Sequence, residues 1–190
     1  MEERYNEDLV FEKLAVSGQV FTARTFEQCT FLRCDLSRCD LAKSKFIECT
    51  FIGCDLSMIK LMGVSFQQVV FKECKLLGMD FSPCSEMLFH VRFEQCALDH
   101  SVLAGRRMPK THFQKCSMKG VDLSGADLSE AVLDHCDLQD AVFDRTDLRN
   151  ADLTSALHMH LDPDNNRIKG ARFSVHGALD LLSKYGIEVE

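Results

Sequence analysis

The cysteines are the residues whose type and spacing most directly indicate chemistry. The chain of 190 residues contains ten of them, and Cys29, Cys34 and Cys39 follow one another at intervals of five. Evenly spaced thiolates could bind a metal ion, and thiols could pair as disulfides. The acidic N-terminus lacks the apolar stretch of a secretion signal, so we expect a cytoplasmic protein whose thiols stay reduced.

A second candidate for chemistry is the segment LHMHLDPDNNRIKG at residues 157–170, where His158, His160 and Asp162 could form a metal cluster. No second set of ligands stands at a spacing that would complete such a site. The Asp-Pro and Asn-Asn pairs are typical of turns. We therefore interpret the segment as a connector and expect neither a metal nor a cofactor.

The remaining composition narrows the class of function. The sequence has no nucleophile elbow, phosphate-binding loop or metalloprotease motif, so we do not expect an enzyme. No apolar run approaches the roughly eighteen residues of a membrane span. A net charge of −7 disfavours direct binding to nucleic acid and favours basic or DNA-binding protein partners.

The elements that must position these residues follow a period of five. Large apolar residues recur at every fifth position from Phe21 to Phe81 and, after a slip of two places, from Leu88 to Leu153. A helix requires apolar spacings of three and four, and a strand requires two, so neither fits. A chain that turns a corner every five residues does fit.

Two further regularities predict a four-sided tube. Positions twenty apart carry the same large residue, as Phe26, Phe46 and Phe66 do. The position two residues before each large residue holds small side chains and includes all ten cysteines, so we expect buried free thiols that act as small hydrophobic groups. One inner column of cysteines is expected, formed by Cys34, Cys54, Cys74, Cys96, Cys116 and Cys136.

The segments ADLSE (126–130), CDLQD (136–140) and ADLTS (151–155) resemble the motif of the pentapeptide-repeat family. That motif is a small residue, Asp or Asn, Leu or Phe, and two variable residues. The resemblance implies an all-β solenoid, a right-handed quadrilateral β-helix with four pentapeptides per coil. The expected organisation is a cap or first partial coil at 1–20, the β-helix at 21–156, a connector and last partial coil at 157–173, and a C-terminal capping and dimerisation helix with its tail at 174–190.

The first departure from the repeat is SPCSEMLFHVR at residues 82–92, which contains the two-residue slip. Pro83 lacks the N–H that an inter-coil ladder would use, and Glu86 falls at an inward position. We predict a bulge or small loop here.

The second departure is AGRRMPK at residues 104–110. The register is kept, yet Arg106 falls at an inward position where an unpaired charge would be costly. Either Arg106 swings outward on a distorted corner or this face opens into a loop. The segment is then either a solvated basic corner or a protruding basic contact formed by Arg106, Arg107 and Lys110.

The C-terminal sequence SVHGALDLLSKYG predicts an amphipathic helix that is capped by Ser174 and ends at Gly186, with a short strand after it. One face of the helix must close the open end of the tube, and more apolar surface remains than a cap needs. We therefore predict a homodimer interface, with a capped monomer as the alternative. Its expected residues are Val175, Ala178, Leu179, Leu181, Leu182, Tyr185, Ile187 and Val189.

Acidic residues are concentrated between residues 121 and 153, where nine Asp or Glu stand against Arg145 and Arg149. Such charges either only solvate the repeat or present carboxylates as DNA presents its phosphates. In the second interpretation, the partner-binding carboxylates are Asp122, Asp127, Asp137, Asp147 and Asp152.

The run CDLSMIKLMGVSFQQVVFKECKLLGMDF (54–81) and the ending ARFSVHGALDLLSKYGIEVE (171–190) are similar to those of the Qnr and MfpA-type subgroup of the family. Members of that subgroup are dimeric, bind DNA gyrase or topoisomerase IV, and protect these enzymes from quinolones or peptide toxins. The resemblance implies a DNA mimic with the same partner here. The alternative is a cytosolic interaction scaffold for a partner that is not a topoisomerase.

Overall fold

The structure, a computed structural model, describes residues 4–187, which wind into a four-sided parallel β-solenoid of about eight coils. We number the four faces in chain order. Faces 1 and 2 carry parallel sheets of four and nine strands. Faces 3 and 4 are held by single parallel bridges, such as Asp35 to Asp55 and Asp40 to Lys60. The predicted β-helix of pentapeptide coils is confirmed.

The strands are short, and each pairs with the equivalent strand of the next coil. Face 1 contains β1 (Tyr5–Glu7), β3 (Thr25–Glu27), β5 (Lys45–Ile47) and β7 (Ser65–Gln67). Face 2 contains β2 (Val10–Glu12), β4 (Thr30–Leu32), β6 (Thr50–Ile52), β8 (Val69–Lys72), β9 (Val91–Glu94), β10 (His112–Gln114), β11 (Val132–Asp134), β12 (Asp152–Leu153) and β13 (Arg172–Phe173).

The corners explain why two positions of every repeat are variable. Arg33 (φ 52°) and Gly53 (φ 62°) occupy the same corner one coil apart, and both lie in the left-handed region that L-residues disfavour. Their backbone N–H groups donate to Ile52 O at 2.8 Å and to Lys72 O at 2.9 Å in the next coil. Because these bonds between coils offset the local strain, the corner accepts many residue types.

A column of stacked phenylalanine rings lines the inner side of face 2. Phe31 and Phe51 stack with ring centroids 4.5 Å apart and planes at 8°, and Phe93 and Phe113 stack at 5.2 Å. The column continues through the two-residue insertion, because Phe71 pairs in register with Phe93. Stacked rings one coil apart account for the recurrence of Phe at intervals of about twenty residues.

All ten cysteines are free and buried, which confirms the prediction for them. Eight of the thiols, all except Cys84 and Cys116, donate to carbonyl oxygens of the preceding coil. Cys54 Sγ lies 3.3 Å from Phe31 O, and at an equivalent position Ser101 Oγ lies 2.7 Å from Leu76 O. Burial raises the pKa of the Cys49 thiol to about 12. This inner position therefore favours a small side chain with a hydrogen-bond donor, and the Cys49 thiol stays protonated at neutral pH.

The insertion at residues 82–92 forms the predicted loop on face 1, where residues 82–90 make turns and no strand. The prediction that Glu86 and Leu88 lie at inward positions is wrong. The Glu86 side chain is 80% exposed, and Leu88 is 67% exposed. Phe89, one position after Leu88, packs against the core instead. The two extra residues form the loop, and the chain returns to the core one residue later than the register predicts.

The C-terminal end is closed by helix α1 (Val175–Leu182), which a 3-10 turn at Ser183–Tyr185 follows. Gly177 N donates to Ser174 Oγ at 2.9 Å, which confirms the predicted N-cap. Leu181 is buried against the core and covers the last coil. Among the residues described, no helix is long and apolar enough to cross a membrane.

Candidate functional site

The aspartates that precede the inward leucines are fixed by their own turns. Asp127 Oδ1 accepts hydrogen bonds from Ser129 N at 3.0 Å and from Ser129 Oγ at 2.6 Å. Asp152 accepts from Thr154 in the same way, at 3.0 and 2.7 Å. An Asx turn of this kind ties the side chain to the backbone two residues further on. The carboxylate is therefore held at a defined point on the outside of the coil.

The five predicted partner-binding aspartates are distributed over all four faces. Asp127 and Asp147 lie one coil apart on face 1, Asp152 lies on face 2, Asp137 on face 3 and Asp122 on face 4. Each step of five residues moves the chain to the next face. The regular spacing in the sequence therefore produces a band around the rod and not a stripe along one side.

Asp147 is the most enclosed of the five carboxylates, with the residue 8% exposed. Arg149 binds it through Nε and Nη2, at 2.8 and 2.7 Å, and Arg167 Nη1 lies 3.1 Å away. The Arg149 guanidinium holds the pKa of this carboxyl below its usual range. Because two guanidinium groups surround one carboxylate, this part of face 1 carries no net negative charge.

Two further aspartates of the set carry counter-charges. Arg172 Nη1 lies 2.9 Å from Asp152 Oδ2. Asp137 lies 3.2 Å from Lys119 Nζ and 2.8 Å from His158 Nδ1. Burial opposes the shift, yet the hydrogen bonds from His158 and Lys119 lower the pKa of Asp137. These sites are weaker sources of negative charge than the sequence indicates.

Asp122 and Asp127 are the two carboxylates of the set that form no ion pair, although the charge of Asp127 is felt by Arg149. Neither forms an ion pair within 4.0 Å in the region 4–187. Asp122 Oδ1 accepts only from the backbone of its own turn, from Ser124 N at 2.9 Å. These two side chains present the fixed negative charge that the sequence predicted for all five.

The structure contradicts both alternatives for Arg106. The side chain neither swings outward nor opens the face, since the residue is 6% exposed and its backbone keeps the coil register. Its Nη1 donates to Cys84 O at 2.8 Å, and its guanidinium lies 5.6 Å from the centroid of the Phe89 ring. Nη2 reaches Glu86 at 3.7 Å. The expected role of Arg106 in a surface contact is therefore wrong, because the insertion loop gives this charge buried partners.

The basic corner that remains is small and regular. Arg107 and Lys110 are exposed, and Arg107 forms a parallel bridge with Asp127 as any coil residue does. Lys110 Nζ lies 3.5 Å from Glu130. The AGRRMPK segment therefore does not project as a loop.

Most of the predicted dimer-interface residues are exposed on the single chain, and Val175 is the most exposed at 82%. Leu181 is the exception, since it is buried against the core of its own chain. Val189 lies outside the described residues. The exposed members are Val175, Ala178, Leu179, Leu182, Tyr185 and Ile187.

The residues of the candidate metal cluster have separate partners. His158 binds Asp137, His160 faces a backbone carbonyl, and Asp162 forms an ion pair with Lys184. In the part of the chain that the structure describes, no group of three or more His, Cys, Asp or Glu residues is placed to hold a metal ion.

An apolar tip on the insertion loop was not predicted from the sequence. Met87 and Leu88 are 72% and 67% exposed. A shallow groove beside them is lined by Gln67, Gln68 and Phe89. The available signal was the slip in register, because two extra residues must leave the coil and these two are apolar.

Comparisons with known proteins agree with this architecture. A model described as a pentapeptide repeat region matches residues 24–103, and one described as pentapeptide repeats (8 copies) matches residues 88–129 and 126–156. No curated protein gives a significant match.

Two solved structures of QnrB1, a plasmid-mediated fluoroquinolone resistance protein, share the fold. A trypsin-treated form is 22% identical over 95% of this chain and 100% of its own, with a TM-score of 0.67. Full-length QnrB1 is 20% identical over 94% of this chain and 100% of its own, with a TM-score of 0.52. At this level of sequence identity, the similarity shows that the chain shares the fold of these structures.

Proposed function

Because the chain belongs to the pentapeptide-repeat family, whose models together match more than half of it, we propose that it works by binding another protein and not by catalysis. The partner we propose is a type II topoisomerase, DNA gyrase or topoisomerase IV. The chain would occupy the DNA-binding groove as a DNA mimic and protect the enzyme against quinolones or toxins, in the cytoplasm.

The observation that carries the proposal is a rigid rod with carboxylates fixed on its outside. The interior is filled by stacked side chains, with Phe31 and Phe51 at 4.5 Å, which leaves the outer surface for function. Asp127 is held by two hydrogen bonds from Ser129, so its charge is preorganised. A groove that binds duplex DNA contacts backbone charge more than bases, and the fixed carboxylates of Asp122 and Asp127, which form no ion pair, would supply that charge.

The similarity to QnrB1 along nearly the whole chain also supports this choice of partner. QnrB1 is a fluoroquinolone resistance protein. A rod of similar length and shape is consistent with a role in protection against the same class of drug.

A homodimer through α1 forms part of the proposal. The exposed apolar side chains of Leu179, Leu182 and Tyr185 lie at the end of the rod, and pairing two copies there would remove them from water. Size-exclusion chromatography with light scattering tests this association. A monomer at tens of micromolar would exclude the dimer.

The decisive test of the proposed function is a gyrase supercoiling assay with and without ciprofloxacin. We expect added protein to restore supercoiling in the presence of the drug. Asp127→Lys should weaken this effect. Asp35→Lys is the matched control, because Asp35 makes the same turn with Ser37, at 3.0 and 2.6 Å, in the N-terminal half. An unchanged assay on addition of the wild-type protein would exclude the topoisomerase as a partner.

The second candidate function is a scaffold for a partner that is not a topoisomerase. The ion pairs at Asp137, Asp147 and Asp152 favour it, since they reduce the negative charge that a DNA mimic requires. Affinity capture on the immobilised protein tests this alternative. A stoichiometric partner other than a topoisomerase, together with no effect on gyrase, would establish it.

A further inference from the structure

Six of the buried cysteines form one column along the inside of the rod. The residues that follow them pair in register from coil to coil on face 3, as Asp55 does with Lys75 and Ala97 does with Ser117. Each of these thiols is therefore stacked on the equivalent thiol of the next coil. The members of this thiol column are Cys34, Cys54, Cys74, Cys96, Cys116 and Cys136.

The six thiols share one orientation. Every Sγ atom of the column lies close to the carbonyl oxygen two residues earlier in the chain. The distance is shortest from Cys74 Sγ to Lys72 O, at 3.2 Å, and longest from Cys136 Sγ to Asp134 O, at 3.6 Å. Because equivalent side chains point the same way, their sulfur atoms repeat along the rod at the spacing of the coils.

That spacing matches the span of a soft metal ion with two ligands in line. Equivalent ring centroids of adjacent coils are 4.5 Å apart for Phe31 and Phe51 and 5.4 Å apart for Phe71 and Phe93. Two metal–sulfur bonds of about 2.3 Å, the usual length from zinc to a thiolate, together span about 4.6 Å. An ion between two stacked sulfur atoms would therefore reach both of them without a change in the coil.

Thiols inside the column have a thiol on both sides. The Cys74 side chain lies beside those of Cys54 and Cys96, and the Cys116 side chain lies beside those of Cys96 and Cys136. Each inner sulfur can therefore bridge two ions.

The four cysteines outside the column differ in this respect. Cys29 and Cys49 lie beside each other and form a single pair. Cys39 has Ile59 at the equivalent position of the next coil, and Cys84 has Arg106 there. Neither Cys39 nor Cys84 can share an ion with a second thiol of its own column.

We propose that the thiol column is a binding site for soft monovalent metal ions, Cu⁺ or Ag⁺. Thiolate sulfur is the ligand that such ions prefer. Six stacked sulfur atoms leave five gaps, and one ion lies in each gap. Each ion displaces one thiol proton and bonds to two sulfur atoms. Five protons leave, the sixth thiol keeps its proton, and the filled column carries no net charge, which burial would otherwise penalise.

This site differs from a metal cluster of three or more ligands, which residues 4–187 do not contain, because linear coordination needs only two. An ion reaches the column when the coils open locally. Face 3, beside the column, is held by single bridges and not by strand ladders. We therefore expect slow uptake by the folded protein. The column lies inside the rod, so the proposal does not depend on the partner that binds outside.

The test is a titration of the reduced full chain with silver nitrate in chloride-free buffer. Silver is the probe because Ag⁺ needs no reductant. Native mass spectrometry counts the bound ions, and circular dichroism follows the fold. We expect about six ions per chain with an unchanged spectrum, five in the column and one between Cys29 and Cys49. No uptake, or one ion per thiol with loss of the spectrum, would overturn the proposal.

Serine variants distinguish bridging ions from ions on single thiols. Serine fits this inner position, since Ser101 Oγ lies 2.7 Å from Leu76 O, and its oxygen is not a soft ligand. Cys74→Ser, inside the column, should lose two ions, and Cys136→Ser, at its end, should lose one. Cys39→Ser is the matched control and should lose none. A loss of one ion in each of the three variants would overturn the proposal, because the ions would then bind single thiols.

Discussion

Faces 1 and 2 respond differently to the same two-residue insertion. On face 2, β8 pairs directly with β9, and Phe71 stacks on Phe93 with centroids 5.4 Å apart. On face 1 the sheet ends at β7, and residues 82–90 form a loop. A solenoid of this kind can therefore confine an insertion to one face while the ladder on the next face keeps its register.

On face 1, side-chain contacts and not strand pairing fill the gap that the insertion leaves in the sheet. The Phe89 ring packs edge-on against Phe66 and Phe81, at 6.3 and 6.2 Å. Arg106 from the next coil reaches down to Cys84 O. We call the insertion loop and Arg106 the matched pair. The loop supplies the Cys84 carbonyl that the buried guanidinium needs, and Arg106 supplies the side chain that holds the loop against the next coil.

The largest effect is expected from breaking the continuous face. Phe93→Ala removes a ring that stacks on both neighbours, and we expect a loss of about 3–5 kcal/mol in the free energy of unfolding. Leu88→Ala on the exposed loop should change it by less than about 0.5 kcal/mol. Urea unfolding followed by circular dichroism measures both. Equal losses in the two variants would contradict the difference between the faces.

The next effect tests the matched pair on the interrupted face. Deleting Ser85 and Glu86 places Leu88 five residues after Phe81 and restores the regular repeat. The deletion alone should cost about 2–3 kcal/mol, because the buried Arg106 loses its ion pair with Glu86 and the loop geometry that brings the Cys84 carbonyl to its guanidinium.

Combining the deletion with Arg106→Ala should recover most of that loss. Arg106→Ala alone should also destabilise the protein, since it leaves the loop unsupported. The four unfolding free energies form a double-mutant cycle. Additive effects would show that the loop and the arginine are not coupled.

A smaller effect concerns the charges that hold face 1 beyond the insertion. The hydrogen bonds from Arg149 hold the pKa of the Asp147 carboxyl below its ordinary value. A lowered folded-state pKa stabilises the protein above the unfolded value, and this stabilisation is lost as the pH falls through the folded value. The free energy of unfolding should therefore decrease below about pH 4.

The variant Asp147→Asn should cost about 1 kcal/mol at pH 7 and flatten part of that acid dependence. Asp127→Asn is the control, since Asp127 has the same kind of turn without an ion pair. Unfolding curves at pH 7 and pH 3 measure both. An acid dependence that Asp147→Asn leaves unchanged would contradict the assigned cause.

The repeat itself was predictable because each inward position sees nearly the same surroundings. The Phe columns, the cysteines and the N-cap at Ser174 all follow from local spacing. The inward position of Phe89 and the burial of Arg106 do not follow from local spacing. Each depends on the space and the hydrogen-bond partners that a neighbouring coil provides. Asp147 pairs with Arg149 two residues along the chain and with Arg167 one coil further on, and the density of acidic residues along the chain does not show which of them are neutralised.

The smallest expected effect compares two buried thiols, Cys84 beside the insertion and Cys54 in a regular coil. They are 5% and 1% exposed, and burial raises the pKa of Cys84 to about 12, so neither should react quickly in the native protein. Local opening should be easier at the loop, which has fewer inter-coil hydrogen bonds, and Cys84 should be labelled several-fold faster. Labelling by a thiol reagent followed by peptide mass mapping measures the two rates.

The variant Arg106→Ala should increase the labelling rate of Cys84 and leave that of Cys54 unchanged, because the guanidinium binds the Cys84 carbonyl. Equal labelling rates would mean that the coils open together and that the insertion is no weaker than the regular coils.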